Sequence, residues 1–524
     1  MFAVILSAIL IDQVTPSPGA SPPAATVPVA LTVTPAAVNL NPAQERILNV
    51  SGATAPLTLT LDRRVVNVSA SADGTTITVD ATQQTGTDTL HVTDANGATA
   101  GVTIRVAFNA GTIVPQTTLN VTGNPAQPDW LADAISKWVA RVSPVMPYAN
   151  ISASVTQPAA PLAPGASAQF PVTVQITSDG RYFDQIGTTT VTVQNTALPP
   201  FDPAILMYDD DPEHIASDGL LFRGTVTPAQ AARLYYYHDD TDDPRQLVVM
   251  LQNTADAPTS VQITDAMAGP NMDVMQVGQS LSKRFLLAKS AQESVVVDLP
   301  QNQPYLVTKL TMTSRQLIAG IADVRVLSGG PVQVTVLAVT PGVDLQVPLS
   351  GPLLPGDGHH RTGVFSLAGF GNDRLTYTVG ADDATVVLGD TEPTPPNADA
   401  SAVGHDYGDY GVVHALDVSL NNPGSTPATV YLFMQPLAGP ARGTFLVDGN
   451  SVDVGCVRVP SRYQVTAFDL TPGQSSRAVV QTMTDGGSFY PVRIGLSTTA
   501  PLPTAPPINA PDGCFPKAQP AATP

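Results

Sequence analysis

The sequence predicts a mainly β protein: tandem β-sandwich domains, Ig-like and jelly-roll-like, plus one small α+β domain with a single amphipathic helix. Three observations predict it. Val and Thr recur in alternating runs, the period-2 pattern of half-buried strands. Fifty prolines and 40 glycines punctuate those runs, favouring short strands and turns over helices. Hydrophobic residues make up 43% of the chain and charged residues only 13%, so there is enough apolar material for real cores. At 524 residues the chain is too long for one core, and about three to five domains are expected.

Residues 1–27 read as an export signal followed by a Pro/Ala/Ser linker. Phe2–Ile11 is an apolar run of signal-peptide length, too short to span a bilayer. No Lys or Arg precedes it, which departs from the usual basic start, and a buried first strand is the alternative. The low-complexity linker Thr15–Val27 favours export. No other segment is long and apolar enough to be a transmembrane helix, so no membrane span is expected in the mature chain.

Residues 28–108 form an Ig-like β-sandwich in this reading. "ALTVTPAAVNL", "ERILNVSG", "LTLTL", "VVNVSAS", "TTITVDA", "DTLHVTD" and "GVTIRVAF" are strands at regular spacing, broken by Gly, Asp and Asn turns. Their order resembles bacterial Ig-like modules, including those that precede pilus-assembly and secretin proteins. That resemblance implies a spacer or adhesive contact.

Residues 109–198 carry the single helix. Pro128-Asp129 opens it and Pro144 stops it. Between them Trp130, Leu131, Ala134, Ile135, Trp138, Val139 and Val142 make one apolar face, which should pack on the strands "TTLNVTG", "NISASVTQ", "FPVTVQITSD" and "TTTVTVQN".

The remainder contains an internal repeat. Leu247–Ile263 aligns without gaps on Leu416–Leu432, matching Leu251 with Leu420, Asn253 with Asn422, Pro258 with Pro427 and Val261 with Val430. Each copy is followed by an Ala-Gly-Pro. A strand, a short Asn/Pro turn and a returning strand is a hairpin common in β-sandwiches. Two related sandwiches follow, 199–340 and 341–499, with a Pro-rich tail at 500–524. The ordered motifs "DDDPEHIASDGLLFRGTV", "ARLYYYHDD", "LQNTADAP", "LLPGDGHHRTGVF", "GDYGVVHALDVSLNNP" and "DGGSFYPVRI" resemble a family of secreted bacterial β-rich proteins over residues 205–498. The resemblance implies a surface region behind a variable N-terminal stalk, and it brings neither an activity nor catalytic residues.

A formal charge of −19 repels nucleic acid, which is excluded as a partner. The two cysteines, Cys456 and Cys514, are a candidate disulfide stapling the tail to the last domain, with two buried thiols as the alternative. Six of the seven histidines lie between residues 214 and 414, most beside Asp or Glu. The stretch Arg233–Gln246, "RLYYYHDDTDDPRQ", is the densest of these clusters. An EF-hand loop started at Asp239 fails, because its sixth position is Pro244 and its twelfth Met250. Catalytic zinc wants three converging ligands, usually anchored by a close pair on a helix, and no such pair exists. A metal would need Asp239, Asp240, Asp243, His238, His359, His360 and His405 to converge from separate segments. No cofactor is expected, with Ca²⁺ the one ion left open. Nucleophile elbows, phosphate-binding loops and C-x-x-C pairs are absent, so no catalytic residue is assigned. In a strand, Tyr235 and Tyr237 share one face and Tyr236 takes the other.

These features predict an exported, non-enzymatic structural or adhesive protein of a bacterial cell surface or periplasm, with an envelope layer or fibre as its setting. Its partners would be proteins, or further copies of itself, at the envelope. A carbohydrate- or Ca²⁺-binding surface module is the alternative, and a hydrolase the third reading.

Overall fold

The computed structural model describes residues 30–155, 160–240, 243–343, 345, 349–389, 394–398 and 404–503. The expected export segment, most of the Pro-rich tail, Cys514 and the side chain of Asp240 lie outside the described residues. Two compact units divide the chain: Met1–Asn109 with Arg181–Phe183, and Ala110–Gly180 with Asp184–Pro524. The fold is mainly β. Among the described residues no helix is long and apolar enough to cross a membrane.

The first unit is a sandwich of eight strands: β1 (Thr32–Thr34), β2 (Ala37–Leu40), β3 (Glu45–Ser51), β4 (Thr58–Leu61), β5 (Val66–Ala70), β6 (Thr76–Ala81), β7 (Gly86–Thr93) and β8 (Thr99–Val106). They form the sheets β1-β3-β6-β5 and β2-β8-β7-β4. Strict alternation sends Leu48, Ile77, Val79, Leu90, Val102 and Ile104 into the shared core and their neighbours to solvent. Asp88 is buried between turns, its carboxylate accepting from the backbone N–H groups of Arg63 (2.9 Å) and Val65 (3.1 Å). Burial raises its pKa, but these N–H bonds hold it below the usual carboxylate range.

The second unit opens with β9 (Gln116–Thr122), α1 (Pro128–Val142), β10 (Asn150–Val155), β11 (Ser167–Thr177) and β12 (Gln185–Asn195). Helix α1 has Pro128 in its first turn and buries Leu131, Ala134, Ile135 and Val139. Trp138 stays half-buried and donates its indole N–H to Thr117 Oγ1 (3.0 Å). A first sandwich module follows: β13 (Ile205–Asp209), β14 (His214–Ile215), β15 (Gly219–Val226), β16 (Ala232–Asp240), β17 (Arg245–Asn253), β18 (Thr259–Asn271), α2 (Val274–Ser290), β19 (Ser294–Leu299), β20 (Pro304–Met312), β21 (Leu317–Ser328) and β22 (Val332–Val339). A second comprises β23 (Thr362–Ser366), β24 (Asn372–Thr378), β25 (Ala384–Leu388), β26 (Val413–Asn421), β27 (Ala428–Pro436), β28 (Ala441–Val447), β29 (Asn450–Val457), β30 (Tyr463–Leu470), β31 (Ser475–Met483) and β32 (Val492–Ser497).

One sheet runs from this opening segment through the first module to β23, in the order β10-β11-β12-β9-β19-β18-β21-β16-β13-β23, with β14 paired to β16. The segment 109–198 therefore shares a continuous sheet with the first module, joined where β9 pairs antiparallel with β19 (Thr122 opposite Ser294). The last strand, β23 of the second module, pairs antiparallel with β13. Smaller sheets, β15-β22-β17-β20, β24-β26-β31-β28-β29 and β25-β32-β27-β30, complete the two sandwiches.

The repeat seen in sequence is a repeat of pairing. β17 pairs with β20 as β26 pairs with β31; β18 pairs with β19 and β21 as β27 pairs with β30 and β32. The matched asparagines do the same work. Asn253 Nδ2 donates to the carbonyls of Ala257 (2.8 Å) and Leu299 (2.9 Å), and its Oδ1 accepts from Ala255 N–H (2.9 Å). Asn422 Nδ2 donates to Thr426 (2.9 Å) and Leu470 (3.3 Å), and its Oδ1 accepts from Gly424 N–H (3.1 Å). Each locks its hairpin turn to the next strand end. Between β18 and β19 the first module inserts α2, a second helix beyond the one expected; at the same place the second module inserts the hairpin β28–β29.

Helix α2 joins the two modules. Asp273 caps it by accepting from Gln276 N–H (3.0 Å). Leu281, Phe285 and Leu286 pack into a core shared with Leu446 and Met483 of the second module. On the same side Gln279 Nε2 donates to Val454 O (3.1 Å) and Lys283 meets the Asp453 carboxylate (2.6 Å). Cys456, on β29, carries no free thiol.

Candidate functional site

The stretch "RLYYYHDD" is a central strand. β16 lies between β13 and β21, and its register with its parallel partner β13 places Tyr235 beside Tyr208. Side chains in register on one face of paired strands are neighbours, so the two rings stack, 5.4 Å apart and 9° from parallel. Tyr236 points to the opposite face and shares a hydrogen bond with Thr308 (2.7 Å). Tyr235 and Tyr237 project the other way, toward the second module.

There they border a cavity of about 340 Å³ built by five separate polar stretches. β13 and the turn after it supply Tyr208, Asp210 and Glu213; β16 supplies Tyr235 and Tyr237. The loop before β23 brings His360 and Arg361, the loop before β26 brings Tyr410, and the link from β31 to β32 brings Gly486–Phe489. The close approach at Gly486 demands glycine, because a Cβ there would lie 2.8 Å from the Tyr237 ring and 2.9 Å from the Tyr235 hydroxyl. Tyr410 donates to Ser488 O (2.8 Å), fastening two of these loops together.

One side of the cavity is a clasp. The Asp357 carboxylate accepts from the backbone N–H groups of His359 (2.8 Å), His360 (2.9 Å) and Glu213 (3.2 Å), and from the His360 ring (2.7 Å). Burial works against it, but these bonds hold Asp357 well below the usual carboxylate range. The other nitrogen of His360 meets Glu213 Oε2 at 2.5 Å. Burial raises the Glu213 carboxyl, only partly offset by His360.

The same region carries buried polar atoms without a partner. Asp210 takes one bond, from the Tyr208 hydroxyl to Oδ2 (3.3 Å), and its Oδ1 has none. Burial, then the charges of Glu213 and Asp209, push its pKa well above the usual range; the Tyr208 bond and Arg361 pull the other way. The Tyr235 hydroxyl is also buried without a partner, on a residue only 1% exposed. Behind the tyrosines Asp406 is fully buried, and burial pushes its pKa well above the usual carboxylate range. Buried atoms without a partner are uncommon in native folds.

Among the described metal candidates, His360 alone borders this cavity. His238 is fully buried, with Nδ1 2.9 Å from Pro212 O and Nε2 3.1 Å from the Asp209 carboxylate. Burial draws its pKa down, but Asp209 more than offsets this and leaves it raised. Asp239 pairs with His214. His359 and Asp243 are exposed, and His405 lies beside Thr394 O (3.3 Å). Among the described residues no group of three or more His, Cys, Asp or Glu is arranged to hold a metal ion. His214, His238, His360 and His405 are thus held by separate carboxylate or carbonyl partners. Sequence reasoning examined each acidic cluster for a self-contained site and so missed Tyr208, Asp210, Glu213, Arg361, Tyr410 and Ser488. The available signal was the recurrence of Tyr beside Asp, His or Gly in the ordered motifs.

No family model matches the chain, and no curated protein matches it. Solved structures with some likeness include a tri-modular GH5 endo-β-1,4-glucanase from Bacillus licheniformis complexed with cellotetraose, 11% identical over 32% of this chain and 39% of that one, TM-score 0.14. Drosophila N-cadherin EC1-4 is 14% identical over 32% of this chain and 50% of that one, TM-score 0.14. A carbohydrate-binding module of the β-sandwich superfamily is 11% identical over 60% of this chain and 100% of that one, TM-score 0.13. The chain thus spans half or less of the first two. TM-scores this low carry no argument about function.

Proposed function

We propose that this chain is an exported, non-enzymatic adhesive protein of a bacterial surface, and that the tyrosine-lined cavity between its two sandwich modules is its glycan-binding seat. The observation that carries this reading is a preformed cavity whose lining sets Tyr208, Tyr235, Tyr237, Tyr410 and Phe489 beside Asp210, Glu213, His360 and Arg361. Aromatic rings and polar side chains already fixed by packing receive a sugar at little cost in ordering. The volume, at the small end of ligand pockets, suits one sugar ring. The half-exposed Phe489 at the rim offers an apolar face to it. Binding is favoured over hydrolysis because His360 and Glu213 are held by each other and by Asp357, which is unlike a poised acid and base.

The test is retention on a panel of immobilised glycans. The intact chain should be held by a subset of them, and Arg361→Ala together with Phe489→Ala should abolish retention without unfolding the protein. Failure to bind any glycan would overturn the reading.

A further inference from the structure

We infer that the seat is selective for a sugar bearing a carboxylate, a uronate, held by the guanidinium of Arg361. This rests on the glycan reading of the same cavity and specifies its ligand class.

Arg361 lines the cavity with most of its donors unused. A guanidinium carries five N–H donors and keeps its charge at any ordinary pH. Arg361 Nη2 donates to Tyr407 O (2.6 Å), and the group lies 6.0 Å from the ring centroids of both Tyr208 and Tyr407. Among the described residues no carboxylate stands within ion-pair distance of it. Arg233 shows what completes such a group: the Asp323 carboxylate fills its fork at 2.6 and 2.9 Å.

The acids around Arg361 do not supply that anion. Burial, then the charges of Glu213 and Asp209, favour the protonated, neutral form of Asp210, and Arg361 only partly offsets them. Asp406 is driven the same way by its burial. Glu213 is taken by His360, whose other ring nitrogen meets Asp357. A ligand carboxylate is planar and accepts two parallel N–H bonds from a guanidinium, which a single hydroxyl cannot do. Its sugar ring then has the tyrosine wall and Phe489 to lie against. A sugar ammonium in the same place meets like charge from Arg361.

Titration of the intact chain by calorimetry with glucuronate, galacturonate, the methyl ester of each and acetate tests this. One of the two uronates should bind about tenfold or more tighter than its own ester and than acetate, the value of a charge-assisted two-point bond. Arg361→Lys keeps the charge and loses the fork, and should weaken that uronate about three- to tenfold. Arg361→Gln should bring it to the level of the ester, with a circular-dichroism spectrum and melting curve confirming the fold of each variant. Equal binding of uronate and ester overturns the carboxylate inference and leaves the glycan reading standing. Equal binding of acetate overturns it by removing the sugar from recognition. Unchanged affinity in Arg361→Gln overturns the placement. If neither uronate binds, the inference falls, while retention on the glycan panel still decides the broader reading.

Discussion

Arg233 shows how a single buried side chain ties the second unit together. Its guanidinium makes a two-point pair with Asp323 (2.6 and 2.9 Å) and donates to Gly411 O (2.9 Å) in the loop leading to the second module. Both partners are almost completely buried, and Lys289 adds a third contact to Asp323 at 3.3 Å. Burial would raise the Asp323 pKa, yet Arg233 and Lys289 bring it below the usual carboxylate range. Arg233→Met should therefore cost about 3–5 kcal/mol in urea unfolding, since it strands a buried charge. Adding Asp323→Leu should recover part of that loss. A single mutant as stable as wild type would refute the pairing. In the sequence Arg233 stands two residues before a tyrosine run, and nothing local identifies its partner. Asn253 and Asn422 are the opposite case: their roles are legible, because each bonds within its own turn and the repeat marks both.

Helix α2 shows where periodicity loses its force at the scale of an element. The stripe of α1 is legible because one face packs and the other meets water. α2 is packed on two sides, on its own sheet through Phe285 and Leu286 and on the second module through Gly278, Gln279 and Ser282. Small and polar residues thus fall at buried positions, and the apolar stripe blurs. Gly278 sits where the helix meets the cavity-lining loop, and a Cβ there would lie 2.0 Å from Gly486 O. Alanine is the better helix former by about 1 kcal/mol. Gly278→Ala should nonetheless destabilise by about 1–3 kcal/mol and weaken ligand binding as the Gly486–Phe489 segment shifts. The melting temperature and a binding titration check both effects; a stabilised variant would show that the contact is not made. Strand order has the same character: β9 and β19 each read as strands, but their pairing joins distant segments that no local pattern links.

Taken as a whole, the second unit concentrates titratable groups in its interior, and this predicts a pH profile. Burial lifts the Asp485 carboxyl from 3.8 to about 7, against the bonds from Ser282 and Thr444. Its folded-state pKa lies above its unfolded value, so the folded state holds the proton more tightly and stability falls as pH climbs between them. Burial alone would lower His414, but Asp373 and Asp409 raise it to about 9. Its contribution is complete below its unfolded value of 6.5 and is lost as pH rises to about 9. Asp323 and Asp357, held below the usual range, add stability that is lost only on strong acidification. The unit should be most stable at mildly acidic pH and lose on the order of 3 kcal/mol through each rise. Urea midpoints at pH 5, 7 and 9 measure it. Asp485→Asn should flatten the lower limb and His414→Gln the upper, and a wild-type midpoint that rises with pH would contradict the assignment. The sequence by itself determined the β character, the position of α1, the duplicated hairpin and the strand nature of "RLYYYHDD", because each follows from alternation, turn chemistry or a local match. Tertiary structure alone decided that the tyrosines, Asp210, Glu213, His360 and Arg361 meet around one cavity. Residues far apart in the chain become neighbours through strand register and module packing, and those are set by the whole buried surface together.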